Sequence, residues 1–261
     1  MYGQDIRWFD RQQQALDNAS QQECDVGVFV LEKHNRTRRF CVAPYDVFTT
    51  KYLAMDEGLR HFYEVISEGS ACKLYFDIEF NKESNRDVFG PVLVDIFVNY
   101  VTSCLSVKYG VVCQRDHVLV LDSSTATKFS QHLVFNIMDT VFENNVVCGK
   151  FVKAIAVAAR NAVFDDLFDG YANAYHNTHG QDLDMLFVNG RNGRQDFLAD
   201  LSVYSRNRQF RIWKSSKLER GVPLTLADDN RYPVHNDRQT FMDSLVSANV
   251  LSLTVLRFDE A

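Results

Sequence analysis

Residues 73–80, KLYFDIEF, alternate: Leu74, Phe76, Ile78 and Phe80 fall on one face, Lys73, Tyr75, Asp77 and Glu79 on the other. A period of two predicts a half-buried β-strand. DVGVFVLE (25–32) and RRFCVAPY (38–45) predict two strands around the polar turn KHNRT. HVLVLDSS (117–124) and SQHLVFNI (130–137) predict two more, joined by STATK. FLADLSVYS (197–205) and RQFRIWKS (208–215) read as consecutive strands around SRN, and VLSLTVLRF (250–258) as a last one. Helical spacing places Ile6, Phe9, Leu16 and Ala19 on one face of a leading helix. Residues 91–105 show the cleanest helical face (Val92, Leu93, Ile96, Phe97, Tyr100, Val101, Cys104, Leu105), with Pro91 suited to its first turn. Further helices are predicted at 149–164 and near 237–248. The polar, glycine-bearing stretch 165–196 reads as an insertion or mobile connection. Strand pairs close enough for hairpins, interleaved with helices, predict a mixed α+β chain whose sheet is not purely parallel.

Composition changes this picture little. The 261 residues are 46% apolar and 13% aromatic with 4 prolines, which is enough for a sizeable core and unlike a disordered chain. The apolar runs read as too short to span a bilayer, and the N-terminus has no apolar signal core, so a soluble intracellular protein without a membrane partner is expected. Six scattered cysteines with no C-x-x-C pair read as free thiols. The NAS (18–20) and NRT (35–37) acceptor patterns carry no meaning without a secretory route. A net charge of −6 excludes a protein that coats nucleic acid by bulk attraction. Charge is nevertheless uneven. Arg206, Arg208, Arg211, Lys214, Lys217 and Arg220 stand against Glu219 alone, a basic stripe fit for a defined anionic ligand.

Candidate chemistry starts with Asp77 and Glu79. Carboxylates at i and i+2 on a strand project side by side and raise each other's pKa unless a cation separates them. An isolated D-x-E is usually a solvated edge; the apolar residues around this one place it in a cleft. All-oxygen ligands suit Mg²⁺ or Mn²⁺, and a two-ion phosphoryl-transfer site needs a further carboxylate. Asp200 supplies the candidate, on the polar side of FLADLSVY with Ser202 and Tyr204. Lys128, Ser130 and His132 share parity in KFSQHLVF, and all three side chains donate to phosphate oxygens. Arg211 opposes Phe210 and Ile212, and Arg208 sits at the mouth of the turn. Together these predict a triphosphate site. HNTH (176–179) reads as a solvated loop and DDLFD (165–169) as an exposed helix end.

CKLYFDIEFNK, LDSSTATKFSQHLVF and DLSVYSRNRQFRIWKSSKL closely resemble the three catalytic motifs of the archaeo-eukaryotic primase superfamily, in the wording of its eukaryotic primase-polymerase branch. YEVI and DSLVSANV extend the likeness over nearly the whole chain. The resemblance implies two α/β modules, one like an RNA-recognition motif, with the active site in the cleft between them. The corresponding division is an N-terminal helix (1–20) contacting template, a module of 21–70 plus 164–196, and a catalytic module of 71–163 plus 197–261. It implies Asp77, Glu79 and Asp200 as ligands of two Mg²⁺ or Mn²⁺ ions, and Lys128, Ser130 and His132 as holders of the incoming phosphates. Arg208, Arg211 and Lys217 match nucleotide-contacting positions, Arg39 (with Arg38 beside it) a further one, Tyr63 a sugar-sensing position and Arg11 a template contact.

The activity implied is template-directed extension of a primer strand from dNTP or NTP by a monomer, in nucleus or mitochondrion, serving damage tolerance and repriming. A C-terminal zinc module and an acidic segment that binds single-strand-binding protein belong to longer members; LRFDEA ends this sequence before either. A catalytic core competent in extension is thus expected. Two rivals remain from the residues alone. A metal-dependent nuclease shares the carboxylates but does not need the basic set. A non-catalytic nucleic-acid-binding module calls for exposed aromatics on a sheet face.

Overall fold

The computed structural model describes residues 6–34, 37–167, 169–179, 183–190, 193–250 and 254–259, and for 177–179 the backbone alone. In chain order the elements are β1 (Arg7–Phe9), α1 (Gln12–Ser20), β2 (Val26–Glu32), β3 (Arg38–Pro44), α2 (Tyr45–Leu53), β4 (Phe62–Ile66), β5 (Leu74–Asn81) and α3 (Gly90–Tyr109). They continue with β6 (Val118–Asp122), β7 (Lys128–Phe135), β8 (Thr140–Phe142), α4 (Asn145–Asp165), α5 (Gly170–His179), β9 (Phe187–Asn189) and β10 (Gln195–Phe197). Last come β11 (Arg208–Arg211), β12 (Thr225–Leu226), α6 (Asp237–Ser244) and β13 (Thr254–Leu256). The result is mixed α+β.

A five-stranded sheet runs β1-β3-β2-β4-β11 and a four-stranded sheet β12-β6-β7-β5. Every pairing within these two is antiparallel, whereas the ribbon of β13 with β8 is parallel. On one side of the five-stranded sheet Val28, Val30, Phe40, Val42 and Val65 bury Ala15 of α1. On the other, Phe29, Cys41 and Phe62 meet Phe48 and Tyr52 of α2, Phe241 of α6, and Leu119 and Leu121 of β6. The two sheets are therefore joined by apolar packing. Helices α3 and α4 share the largest cluster with β5 and β7, where Phe97 meets Phe76 edge-on with ring centres 4.9 Å apart. β11 is an edge of the first sheet through β4, while Ala172, Tyr175 and Leu186 belong to the core that holds α3 and α4.

Several expectations change. The stretch 165–196 is not an open connection: α5 is buried through Ala172 and Tyr175, and Tyr175 packs edge-on against Tyr100 of α3. One small and one aromatic residue are buried there, with Tyr171 packed beside them, in a polar composition that hid them. Of HNTH, the side chains of 177–179 lie outside the described residues, as do Asn35 and Arg36 of NRT, Phe168 of DDLFD and residues 251–253 of the last predicted strand. The expectation that no apolar run could span a bilayer fails at α3, which is long and apolar enough to do so. Its Leu93, Phe97, Tyr100, Val101 and Cys104 are buried, the position of a core helix. Cys41, Cys72, Cys104 and Cys148 are buried thiols outside any disulfide.

Lys73 also departs from expectation. It is buried rather than facing a cleft, and its ammonium donates to the carbonyls of Met242 (3.4 Å) and Asp243 (3.2 Å). Beside it the buried Glu64 accepts from Val246 N (2.8 Å), Ser247 N (3.0 Å) and Ser247 Oγ (2.6 Å), so Lys73 fastens the last turn of α6 and Glu64 the segment after it. Burial lowers the Lys73 pKa to about 8, against the pull of Asp243 and Glu64. Between about pH 8 and the ordinary 10.5 the unfolded chain keeps a proton that the folded chain has lost, so this group's contribution makes stability rise with pH there. Urea unfolding of wild type and Lys73→Met at both ends of that window should show the rise in the difference between them. An unchanged difference would place the ammonium in water.

Candidate active site

β5 is the outer strand of its sheet, and one polar face carries the site. Tyr75 on that face is fully buried, so the row opens only at Asp77, with its side chain 19% exposed, and Glu79, 40% exposed. Register sets their neighbours on β7: His132 lies opposite Asp77, Ser130 opposite Glu79 and Lys128 opposite Asn81. A two-residue period on both strands thus brings three donors beside two carboxylates.

Asp200 arrives differently from the expectation. FLADLSVYS is not a strand beyond β10. Ala199 makes a single bridge to Ile78, and residues 201–203 form a 3₁₀ turn capped by Asp200. The parity shared by Asp200, Ser202 and Tyr204 therefore has no strand behind it. Ser202 instead donates its N–H and hydroxyl to the Asp200 carboxylate at 2.8 and 2.9 Å. This local bonding competes with extended pairing, the usual effect of Asp and Ser at turns. What holds the turn on β5 is a reciprocal pair of bonds: Tyr204 Oη donates to the Tyr75 carbonyl (2.6 Å), and Tyr75 Oη to the Val203 carbonyl (2.8 Å). Gly149 of α4 lets the segment approach, since a Cβ there would lie 2.4 Å from Tyr204 Cβ. The Asp200 N–H then reaches the Asp77 carbonyl at 2.9 Å, which puts the third acid beside the first.

The electrostatics follow from this crowding. Burial, Glu79 and Asp200 push the Asp77 pKa up to about 6, with Lys128 and Lys217 opposing. Asp77 Oδ1 is buried without a hydrogen bond and stands 3.8 Å from His132 Nε2. His132 is buried and stacked on Phe210 at 4.1 Å. Burial, then Arg211, Lys217, Lys128 and Arg208, hold its pKa well below the ordinary value, so its ring is neutral at pH 7. Glu79 is paired with Lys128.

The basic side chains converge from β11 and the loop after it. Arg211 is buried, donating through Nη2 to Ser123 Oγ (2.7 Å) and Nη1 to the Val222 carbonyl (3.3 Å). That hydroxyl in turn donates to Ser130 Oγ at 3.3 Å, linking Arg211 to β7. Arg208, Lys217 and Arg220 line a cavity of about 570 Å³ together with Arg38, Tyr63 and Glu32. Asn207, at φ 50°, turns the chain into β11 and accepts from Glu68 N at 2.8 Å. The rest of the basic stripe is spent elsewhere, Arg206 on Glu68 and Lys214 on Asp237.

Two sequence candidates lie outside this cluster. Arg39 points to the other face of β3, with its guanidinium 5.1 Å from the centre of the Trp8 ring and 3.8 Å from Asp10. Its neighbour Arg38 lines the cavity instead, because successive strand residues face opposite ways. Arg11 precedes α1 as its N-cap, and its carbonyl accepts from Ala15 N. Sequence reasoning also missed Glu32, which accepts from Tyr63 Oη (3.0 Å) and Leu218 N (3.2 Å) and fixes one wall of the cavity. The closing E of DVGVFVLE was the available signal: an acid where the strand's apolar run stops.

The carboxylates fit a hard divalent cation in chemistry, with an unpartnered buried oxygen on Asp77 and three mutually repelling charges. They are not a finished cage. Among the described residues no three acidic, imidazole or thiol groups already form a metal-binding set. Glu79 is turned onto Lys128, and Asp200 onto Ser202.

Comparison with known sequences finds relatives over most of the chain. The chain is 35% identical to the DNA-directed primase/polymerase protein of Danio rerio, an alignment covering 92% of this chain and 50% of that protein. It is 34% identical to the same-named protein of Homo sapiens, over 92% of this chain and 52% of the relative. It is homologous to the primase-polymerases. The Mus musculus primase-polymerase is 33% identical with the same 92% coverage of this chain. The chain spans about half the length of the primase-polymerases it matches. No family model matches it.

Proposed function

We propose that this chain is the catalytic core of a DNA-directed primase-polymerase, joining (d)NTP to a primer 3′-hydroxyl under the direction of template DNA. The observation that carries the reading is the meeting of Asp77, Glu79 and Asp200 beside His132, Arg211 and Lys217, acids for metal next to bases for a triphosphate. Asp77, Glu79 and Asp200 would hold two Mg²⁺ or Mn²⁺ ions, with Glu79 released from Lys128. When bound, such ions lower the pKa of the attacking hydroxyl and neutralise charge on the α-phosphate and pyrophosphate.

The chain's own side chains do the positioning. Lys128, Ser130 and Arg211 donate to phosphate oxygens, and the neutral His132 donates one N–H without adding charge. A triphosphate so clamped presents its α-phosphorus for in-line attack. The 3′-oxygen bond forms as the α–β anhydride breaks, and the hydroxyl proton leaves to solvent. Arg208, Lys217 and Arg38 border the nucleotide cavity. Tyr63, held by Glu32 and with a pKa pushed up to about 12 chiefly by burial, remains a neutral phenol against the sugar. Arg11 at the start of α1 is the proposed template contact. The division into two modules, a role in damage tolerance and repriming, monomeric state, and nuclear or mitochondrial residence belong to the same reading.

Extension of a labelled primer on a template, with dNTP and Mn²⁺ or Mg²⁺, tests the reading. Elongation that needs all components supports it; degradation of the DNA without added nucleotide would make this chain a nuclease. Replacing Arg38 by Ala should weaken dNTP binding roughly tenfold or more, the worth of one charged hydrogen bond. Arg39→Ala should change it by no more than about twofold, since Arg39 points elsewhere. Equal losses in the two variants, measured by equilibrium titration, would contradict this placement.

A further inference from the structure

An apolar groove of about 570 Å³ lies behind the nucleotide cavity, on the Trp8 side of the five-stranded sheet. Trp8, Leu59, Phe62 and Leu218 line it, with Lys33 and His61 among its polar residues. Two of its large apolar side chains are open to solvent, Trp8 at 36% and Leu59 at 59%. The indole is held in place: the Arg39 guanidinium lies over the ring, and Phe62 packs tilted against it with centres 6.4 Å apart. A rigid aromatic surface with cations beside it suits a flat, apolar, π-faced group attached to a phosphate chain. Glu32 and Leu218 line both this groove and the nucleotide cavity, so the two spaces are separated by one wall.

We infer that the groove receives an unpaired base of single-stranded template DNA, stacked against Trp8, while Arg39 and Lys33 face the neighbouring phosphates. The inference rests on the primase-polymerase reading and adds a site to it. Base stacking on an aromatic side chain is tolerant of sequence, as a strand copied base by base requires. It also gives Arg39 a part outside the nucleotide cavity.

The test compares wild type, Trp8→Ala and Leu59→Asp on two DNAs: a primed template with a 5′ single-stranded overhang and the blunt duplex. Both variants should bind the overhang DNA roughly tenfold more weakly or worse, with blunt-duplex and Mn²⁺–dNTP affinities at wild-type values and, for the more exposed Leu59, an unchanged melting temperature in Leu59→Asp. Trp213 is buried and Trp8 is the other tryptophan, so an oligo(dT) single strand should quench wild-type fluorescence and not that of Trp8→Phe. Wild-type overhang affinity in both variants would overturn the assignment. So would a concentration-dependent dimer that Leu59→Asp dissociates, because a second copy would then cover the groove. A wild-type protein that binds neither DNA nor Mn²⁺–dNTP would instead remove the primase-polymerase reading itself, and the groove's assignment with it.

Discussion

Asp77→Asn should reduce primer extension by about a thousandfold or more, while the folded protein becomes no less stable. The loss is large because nucleotidyl transfer depends on charge stabilisation worth several kcal/mol, and each 1.36 kcal/mol is tenfold in rate. Stability should move the other way. Asp77 is pushed from 3.8 up to about 6 by burial and by the charges of Glu79 and Asp200, so its ionised form is opposed at pH 7 by about 3 kcal/mol at most. The neutral amide removes that opposition in the absence of metal, and the melting temperature should rise. Added Mn²⁺ should raise the melting temperature of wild type and leave the variant's unchanged. A variant that extends primers normally, or unfolds early, would mean that Asp77 serves the fold rather than the reaction. Such an exchange of stability for activity is common where a site gathers like charges.

The second large effect is expected at Arg211. Its two bonds join β11 to Ser123, at the end of β6, and to the Val222 carbonyl in the loop that carries Lys217. Removing it should weaken dNTP binding by about a hundredfold, since hydrogen bonds to charged groups contribute about 1.5–3 kcal/mol each. Burial lowers the Arg211 pKa, but Tyr63 and Asp77 oppose the shift, and the guanidinium stays charged. Arg211→Lys should recover little, because a point charge with one reach cannot bond Ser123 and Val222 together. Equilibrium titration of Arg211→Ala, Arg211→Lys and wild type with a dNTP reads both expectations. A lysine variant that binds like wild type would reduce the residue's part to charge alone.

The sequence disclosed much of this arrangement where a simple period governs it. Alternation along KLYFDIEF and KFSQHLVF located β5 and β7 and the residues that share their polar faces, and helical spacing located α3. It failed where local chemistry outweighs periodicity. Asp200 looked like a strand residue because Phe197, Ala199, Leu201 and Val203 alternate, yet its bonds to Ser202 close a turn. Lys73 and Tyr75 share the parity of Asp77, but one is sealed under α6 and the other under Tyr204. Parity gives direction without saying what lies above the face. α2 was missed although Tyr45, Phe48 and Tyr52 have helical spacing, because Pro44 and Tyr45 read as the end of β3. The docking of α5 depended on two buried residues in a polar stretch. The choice of Arg38 over Arg39 needed the strand's exact phase, which two adjacent arginines obscure.

The central claim concerns three acids from distant points of the chain meeting around divalent ions. Anomalous scattering from a crystal soaked with Mn²⁺ and a non-hydrolysable dNTP tests it most directly. Manganese peaks bonded by Asp77, Glu79 and Asp200, with Glu79 off Lys128 and the triphosphate against Arg211 and Lys217, are the expected result. Peaks elsewhere, or a nucleotide bound with Glu79 still on Lys128 and no metal between the acids, would contradict it.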